Sequence, residues 1–193
     1  MTLFEPLYTR VLGWAQHPRA PWYLGSLSFA ESTFFPVPPD VMLIPMTLAR
    51  PDRGWRFAAL CTVTSVVGGM FGYLIGMVAF DFIEPVLRDA GYWGAYESAR
   101  DYFERWGFWF VLVAGFSPIP YKIFTITAGV LGMPFVPFVF GSALGRGGRF
   151  FLVVGLIRVG GERMEQAIRR NIEILGWATV VIILALVLYL WMR

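Results

Sequence analysis

Five ionisable side chains stand in otherwise apolar stretches of this chain: Glu31, Asp40, Lys122, Arg146 and Arg149. A charge at the centre of a bilayer costs roughly 2.5–3.5 kcal/mol. Five of them cost on the order of 10 kcal/mol, comparable to the whole stability of a domain. They must therefore pair, hydrate or lose their charge. Asp40 and Lys122 each follow a proline cluster. They either line one polar cavity from two matching tips or tie those tips together as a buried ion pair. Glu31 has no acidic or basic counterpart at the aligned position, Val113. A carboxyl without a partner at membrane depth favours its neutral form, which suits proton exchange. The alternative for Glu31 is a helix cap or a carboxylate at headgroup level. Arg146 and Arg149 are three apart on one helix face, beside Gly145, Gly147 and Gly148. A planar guanidinium grips phosphate with two hydrogen bonds. The same two arginines at a helix end would instead snorkel to the interface.

Composition decides the medium in which these residues act. Of 193 residues, 57% are hydrophobic, 18% aromatic and only 15% charged, against about 25% charged in ordinary globular domains. The mean hydropathy is +0.61. A water-soluble fold of this size could not hide so much apolar surface. The net charge of +3 therefore reflects topology and anionic lipid rather than nucleic acid. One histidine (His17) and one cysteine (Cys61) leave no zinc or haem set. No cofactor is expected, and no nucleophile–base pair marks an enzyme.

Three stretches are long enough to span a bilayer, which takes roughly 20 apolar residues: 57–80, 133–157 and 174–192. Two further apolar stretches, 21–49 and 106–132, are interrupted by Pro36, Pro38 and Pro39 and by Pro118 and Pro120. Proline removes an amide donor and pushes the preceding residue out of the helical region. Neither stretch can be one continuous helix, and broken backbone at membrane depth survives only inside protein or beside water. Both read as re-entrant hairpins folded at a proline tip. Gly68, Gly72 and Gly76 form a small-residue face suited to close helix packing.

The hairpins resemble each other. Pro36-Val37-Pro38-Pro39-Asp40-Val41 lines up with Pro118-Ile119-Pro120-Tyr121-Lys122-Ile123, and Ser65-x-x-Gly68 with Ser142-x-x-Gly145. With one span between them, the halves would be inverted, as in many transporters. The expected fold is an all-α integral membrane protein. It combines an inverted repeat of re-entrant helical hairpin plus transmembrane helix with interfacial amphipathic helices and a C-terminal transmembrane helix. The single membrane domain divides into an amphipathic N-terminus (1–20), a first repeat (21–80), an amphipathic connector (81–105), a second repeat (106–157), and a basic connector with the last helix (158–193). Nine arginines fall on one side of the expected spans and four on the other. The nine-arginine side is then cytoplasmic and the C-terminus outside.

Phe29-Ala30-Glu31-Ser32, the proline tip through Asp40, the 65–76 glycine helix and Gly115-Phe116-Ser117-Pro118-Ile119-Pro120-Tyr121-Lys122 resemble the DedA family. This is also called the VTT or SNARE-associated Golgi protein family, and its YqaA-like branch is the nearest in pattern. The resemblance covers about residues 25–160. It implies a bacterial inner-membrane, multi-pass protein with paired re-entrant hairpins, associated with transport and lipid translocation. Glu31 and Asp40 match the family's membrane acidic pair. Its Arg-Phe-x-Pro-x-x-Arg pattern is half present, with Gly115 at the first arginine and Lys122 displaced by one from the second. The expected function is translocation of an anionic phospholipid or polyprenyl phosphate. Lys122, Arg146 and Arg149 would hold the phosphate, while Glu31 and Asp40 would balance charge and exchange protons. The competing expectation is a non-transporting organiser that binds partners through 81–105 and the C-terminal helix.

Overall fold

The computed structural model describes residues 17–35, 37–117 and 121–160. The expected N-terminal amphipathic segment, apart from its last residues, lies outside them. So do Pro36, Pro118, Pro120, the third span at 174–192 and the connector before it from residue 161 on. Among the described residues all regular structure is helical: α1 (Ala20–Thr33), α2 (Asp40–Ala49), a 3₁₀ turn (Pro51–Arg53), α3 (Gly54–Asp89), α4 (Trp93–Phe116), α5 (Tyr121–Val130) and α6 (Phe135–Gly160).

Each boundary has a local cause. After α1 the chain leaves helical geometry at Phe34 (φ −149°), and the helix restarts behind Pro38 and Pro39. Asp40 then falls in the first turn of α2, where a carboxylate faces the positive helix end. α4 ends at Ser117, which is extended (φ −75°, ψ 157°), as the residue before a proline must be. Gly132, at φ 64°, turns the chain between α5 and α6. Its neighbour Met133 donates back to the Ala128 carbonyl at 3.0 Å, closing the helix end.

The expected amphipathic connector at 81–105 is not a separate helix. Residues 81–89 extend α3, which has 36 residues, and 93–105 begin α4. α3 continues through Pro85, and the Glu84–Arg88 ion pair at 2.8 Å spans the turn around it. The break waits for Gly91, at φ 74°, a backbone region that glycine enters without strain.

Contact registers give the helix directions. Ser28 donates to the Cys61 carbonyl, and Thr33 to that of Gly68, so α1 and α3 run parallel. Gly69 faces Tyr121 and Gly76 faces Val130, so α5 is parallel to α3 as well. Gly141 faces Phe108 and Gly148 faces Phe116, so α4 and α6 are parallel. α1 ends and α5 begins near the middle of α3, and α4 ends near the middle of α6. The two broken segments thus meet tip to tip halfway along the long helices.

Several of these contacts are backbone to backbone. A Cβ on Gly68 would strike the Phe29 carbonyl, and one on Gly145 that of Leu112. A Cβ on Gly76 would strike the Ile126 carbonyl, and one on Gly129 that of Tyr73. Small residues allow this approach, and in a lipid solvent van der Waals packing replaces the hydrophobic drive. The apolar residues face outward. Only 28% of the most apolar part of α3, and 44% of that of α6, is buried. The core helix of a soluble protein would be covered on most sides. Val63, Phe71, Leu74 and Val78 are instead exposed around α3.

Candidate functional site

Four of the five charges pair across the junction of the tips, and the fifth, Lys122, reaches the first tip separately. Glu31 lies in the last turn of α1, because that turn is drawn onto α3 by a ladder of small hydroxyls. Ser28 donates to the Cys61 carbonyl at 2.8 Å, Ser32 and Ser65 share a 2.7 Å hydrogen bond, and Thr33 donates to the Gly68 carbonyl at 3.0 Å. This leaves Glu31 facing α6. Arg146 reaches it from there, with Nη2 on Glu31 Oε2 and Nε on Ser65 Oγ at 2.6 Å. Ser32 Oγ is also within 3.2 Å of the same carboxylate oxygen. The Arg146 side chain is 1% exposed and that of Glu31 11%. The guanidinium also lies over the rings of Phe150 and Tyr121, at 4.8 and 5.1 Å. Burial makes the pair depend on mutual neutralisation, since neither charge retains much water.

Asp40 pairs one helical turn deeper along α6. Arg149 Nη2 donates to Asp40 Oδ2 at 2.6 Å, and Arg149 Nη1 to the Ser117 carbonyl at 3.2 Å. One guanidinium therefore holds the start of α2 and the end of α4 together. This pair is more open, at 21% and 16% side-chain exposure.

Two expectations are corrected. Asp40 and Lys122 do not form an ion pair: α2 lies beside α6, which puts Arg149 opposite Asp40. Glu31 is not without a partner, because α6 supplies Arg146. Lys122 instead donates from Nζ to the Phe34 carbonyl at 3.1 Å, linking the second tip to the first. Among the described residues no carboxylate lies within ion-pair distance of it. Nor do Arg146 and Arg149 snorkel, since both point into the protein. Among the described residues the two carboxylates are each matched by an arginine, and Lys122 is the cation of the five without a carboxylate at ion-pair distance.

Gly68, Gly72 and Gly76 are packing residues. A Cβ at Gly72 would collide with Thr125 Oγ1 of α5. Pro38 and Pro39 lie between α1 and α2, with Pro39 directly before α2. Sequence reasoning missed Ser32 and Tyr121, and Ser65 entered only as a mark of repetition. Tyr121 is fully buried, and its hydroxyl bonds Ser142. Only Ser65 and Ser142, at matching places, left a signal, because hydroxyls carry no charge to betray them in an apolar run.

Long apolar helices turned outward, broken helices meeting at mid-length and charges paired in the interior define an α-helical membrane protein. The chain belongs to the VTT domain family, whose pattern it matches over residues 37–159. This is the family that the motifs resemble. An uncharacterized protein of Haemophilus influenzae is 44% identical to it over 182 residues, covering 94% of this chain and 95% of its own. An uncharacterized protein of Histophilus somni is 45% identical over 193 residues, 100% of both chains. No solved structure matches the chain.

Proposed function

We propose that this protein is a multi-pass transporter of the bacterial inner membrane that moves an anionic lipid headgroup between leaflets. The headgroup would travel along a polar groove between two re-entrant hairpins while its acyl tails stay in the bilayer. The two halves are then an inverted repeat, entering from opposite faces with their tips at the midplane. The arginine-rich ends of α2, α3 and α6 face the cytoplasm.

The observation that carries this reading is a lysine at the second tip with no carboxylate at ion-pair distance among the described residues. Among the described residues Lys122 bonds the Phe34 carbonyl of the first tip, and the two guanidinium–carboxylate pairs lie at the same junction of the hairpins. A phosphate is recognised by such a set, first by Lys122 as a point charge and then by arginine forks it shares with carboxylates. Its arrival competes with Asp40 for Arg149, the more open of the two arginines. Protonating a carboxylate leaves its arginine free for phosphate, and this exchange is the proposed link to protons.

Purified protein reconstituted in liposomes with labelled phosphatidylglycerol tests the reading. Lipid exchange above that of protein-free vesicles, lost in Lys122→Met, is the expected result. Exchange no faster than in empty vesicles removes the transporter reading and leaves a membrane organiser that binds partners.

A further inference from the structure

Aligning Pro36 with Pro118 and Ser65 with Ser142 makes α2 and α5 equivalent arms, one per hairpin. They are fastened in different ways. α5 is zipped to α3 by glycine: Gly129 meets the Tyr73 carbonyl, Gly76 meets that of Ile126, and Gly72 meets Thr125. On the α2 side the aligned residues are Thr47 for Gly129, Val153 for Gly76 and Arg149 for Gly72. That glycine seam is missing: α2 is held by side chains, Leu43 and Met46 packing on Phe57, Phe150 and Val154, and at its tip by the Asp40–Arg149 ion pair. α2 also contains Pro45, where α5 has Thr127. Proline has no N–H for the carbonyl four residues back, so the helix is weakened between its tip half and its base.

The two ion pairs differ in the same sense. Glu31–Arg146 is sealed, its arginine 1% exposed and bonded also to Ser65. Asp40–Arg149 is partly exposed, at 16% and 21%. A backbone seam has one close-packed geometry. An accessible ion pair can exchange one partner for another of like charge.

We propose that the tip half of α2 is the gate of this protein, with Pro45 as its hinge and Asp40–Arg149 as its latch, while α5 stays fixed on α3. A lipid phosphate that takes Arg149 from Asp40 releases the latch. That last step rests on the transport reading, whereas the division into a moving and a fixed arm does not.

Spin labels at aligned positions test the asymmetry. Val41 on α2 with Leu144 on α6, and Ile123 on α5 with Val67 on α3, are equivalent pairs of exposed side chains. Each is converted to cysteine, and the buried Cys61 stays unlabelled. In phosphatidylcholine vesicles, Asp40→Asn should add a second, longer distance to the 41–144 pair and leave the 123–67 pair single. Arg149→Lys keeps the charge but removes the fork that also holds Ser117, so it supplies the same comparison by a milder change. A single unchanged 41–144 distance in both variants overturns the proposal, as does equal broadening of both pairs. In the wild-type protein, phosphatidylglycerol vesicles should populate the longer 41–144 distance. If the latch variants move α2 but no vesicle shows lipid exchange, the gate stands and the transport reading falls. If lipid exchanges while α2 stays still, the gate falls and the transport reading stands.

Discussion

Arg146 and Glu31 are 115 residues apart in the chain and in direct contact in the fold, with Ser65 closing the third side. The contact joins the last turn of α1 to the middle of α6, and so one half of the protein to the other. Removing one partner of a buried ion pair strands the other charge, at a cost of about 3–5 kcal/mol. Arg146→Gln or Glu31→Gln alone should therefore lower thermal stability in detergent. The double variant should recover part of the loss, because it leaves no charge behind. Additive losses in the double-variant cycle would show that the two side chains act independently.

The glycine seams give a second stability test. Gly68→Ala and Gly129→Ala each press a Cβ onto a carbonyl of the neighbouring helix. Overpacking of this kind costs about 1–3 kcal/mol. Gly94→Ala is the control, since nothing lies within 4 Å of its Cβ and alanine favours the helix by about 1 kcal/mol. Melting temperatures should fall for the first two and hold or rise for the third. Equal behaviour of all three would mean that helices α1, α3 and α5 are not in backbone contact.

Lys122 separates a transporting role from a structural one. Among the described residues its ammonium makes one hydrogen bond, to a carbonyl, so Lys122→Met removes charge with a small loss of packing. Lipid exchange should drop to background in Lys122→Met and persist in part in Lys122→Arg. Full activity in the folded methionine variant assigns Lys122 to tip-to-tip bonding alone.

The proposed proton linkage is tested at Glu31. Glu31→Gln imitates the protonated acid at nearly constant shape and permanently frees Arg146 of its counter-charge. Transport in this variant should continue but no longer respond to an imposed pH gradient, while Glu31→Asp should retain part of the response. A response equal to wild type in Glu31→Gln would leave a passive translocase whose carboxylates only balance charge.

Hydropathy and proline are local properties, and the sequence alone was enough for what depends on them. It determined the membrane medium, the long helices at α3 and α6, and the breaks before Asp40 and Tyr121. It also marked the five charges as a group, because an ion in an apolar run is out of place wherever the chain goes. Partner choice was decided only in the tertiary structure. Asp40 and Lys122 occupy matching positions at two tips, and position along the chain favours pairing them. Yet an ion pair forms between groups brought within a few ångströms, and that depends on which helix lies alongside. α2 returns beside α6, so Asp40 meets Arg149, and α1 presents Glu31 to Arg146. Lys122 is left with a carbonyl. Backbone contact at Gly68, Gly76, Gly129 and Gly145 likewise needs a facing helix in the right register, which no single segment specifies. The extension of α3 to Asp89 went unforeseen because charge was read as a boundary. A helix leaving the apolar layer has no reason to stop until a residue such as Gly91 reverses the chain.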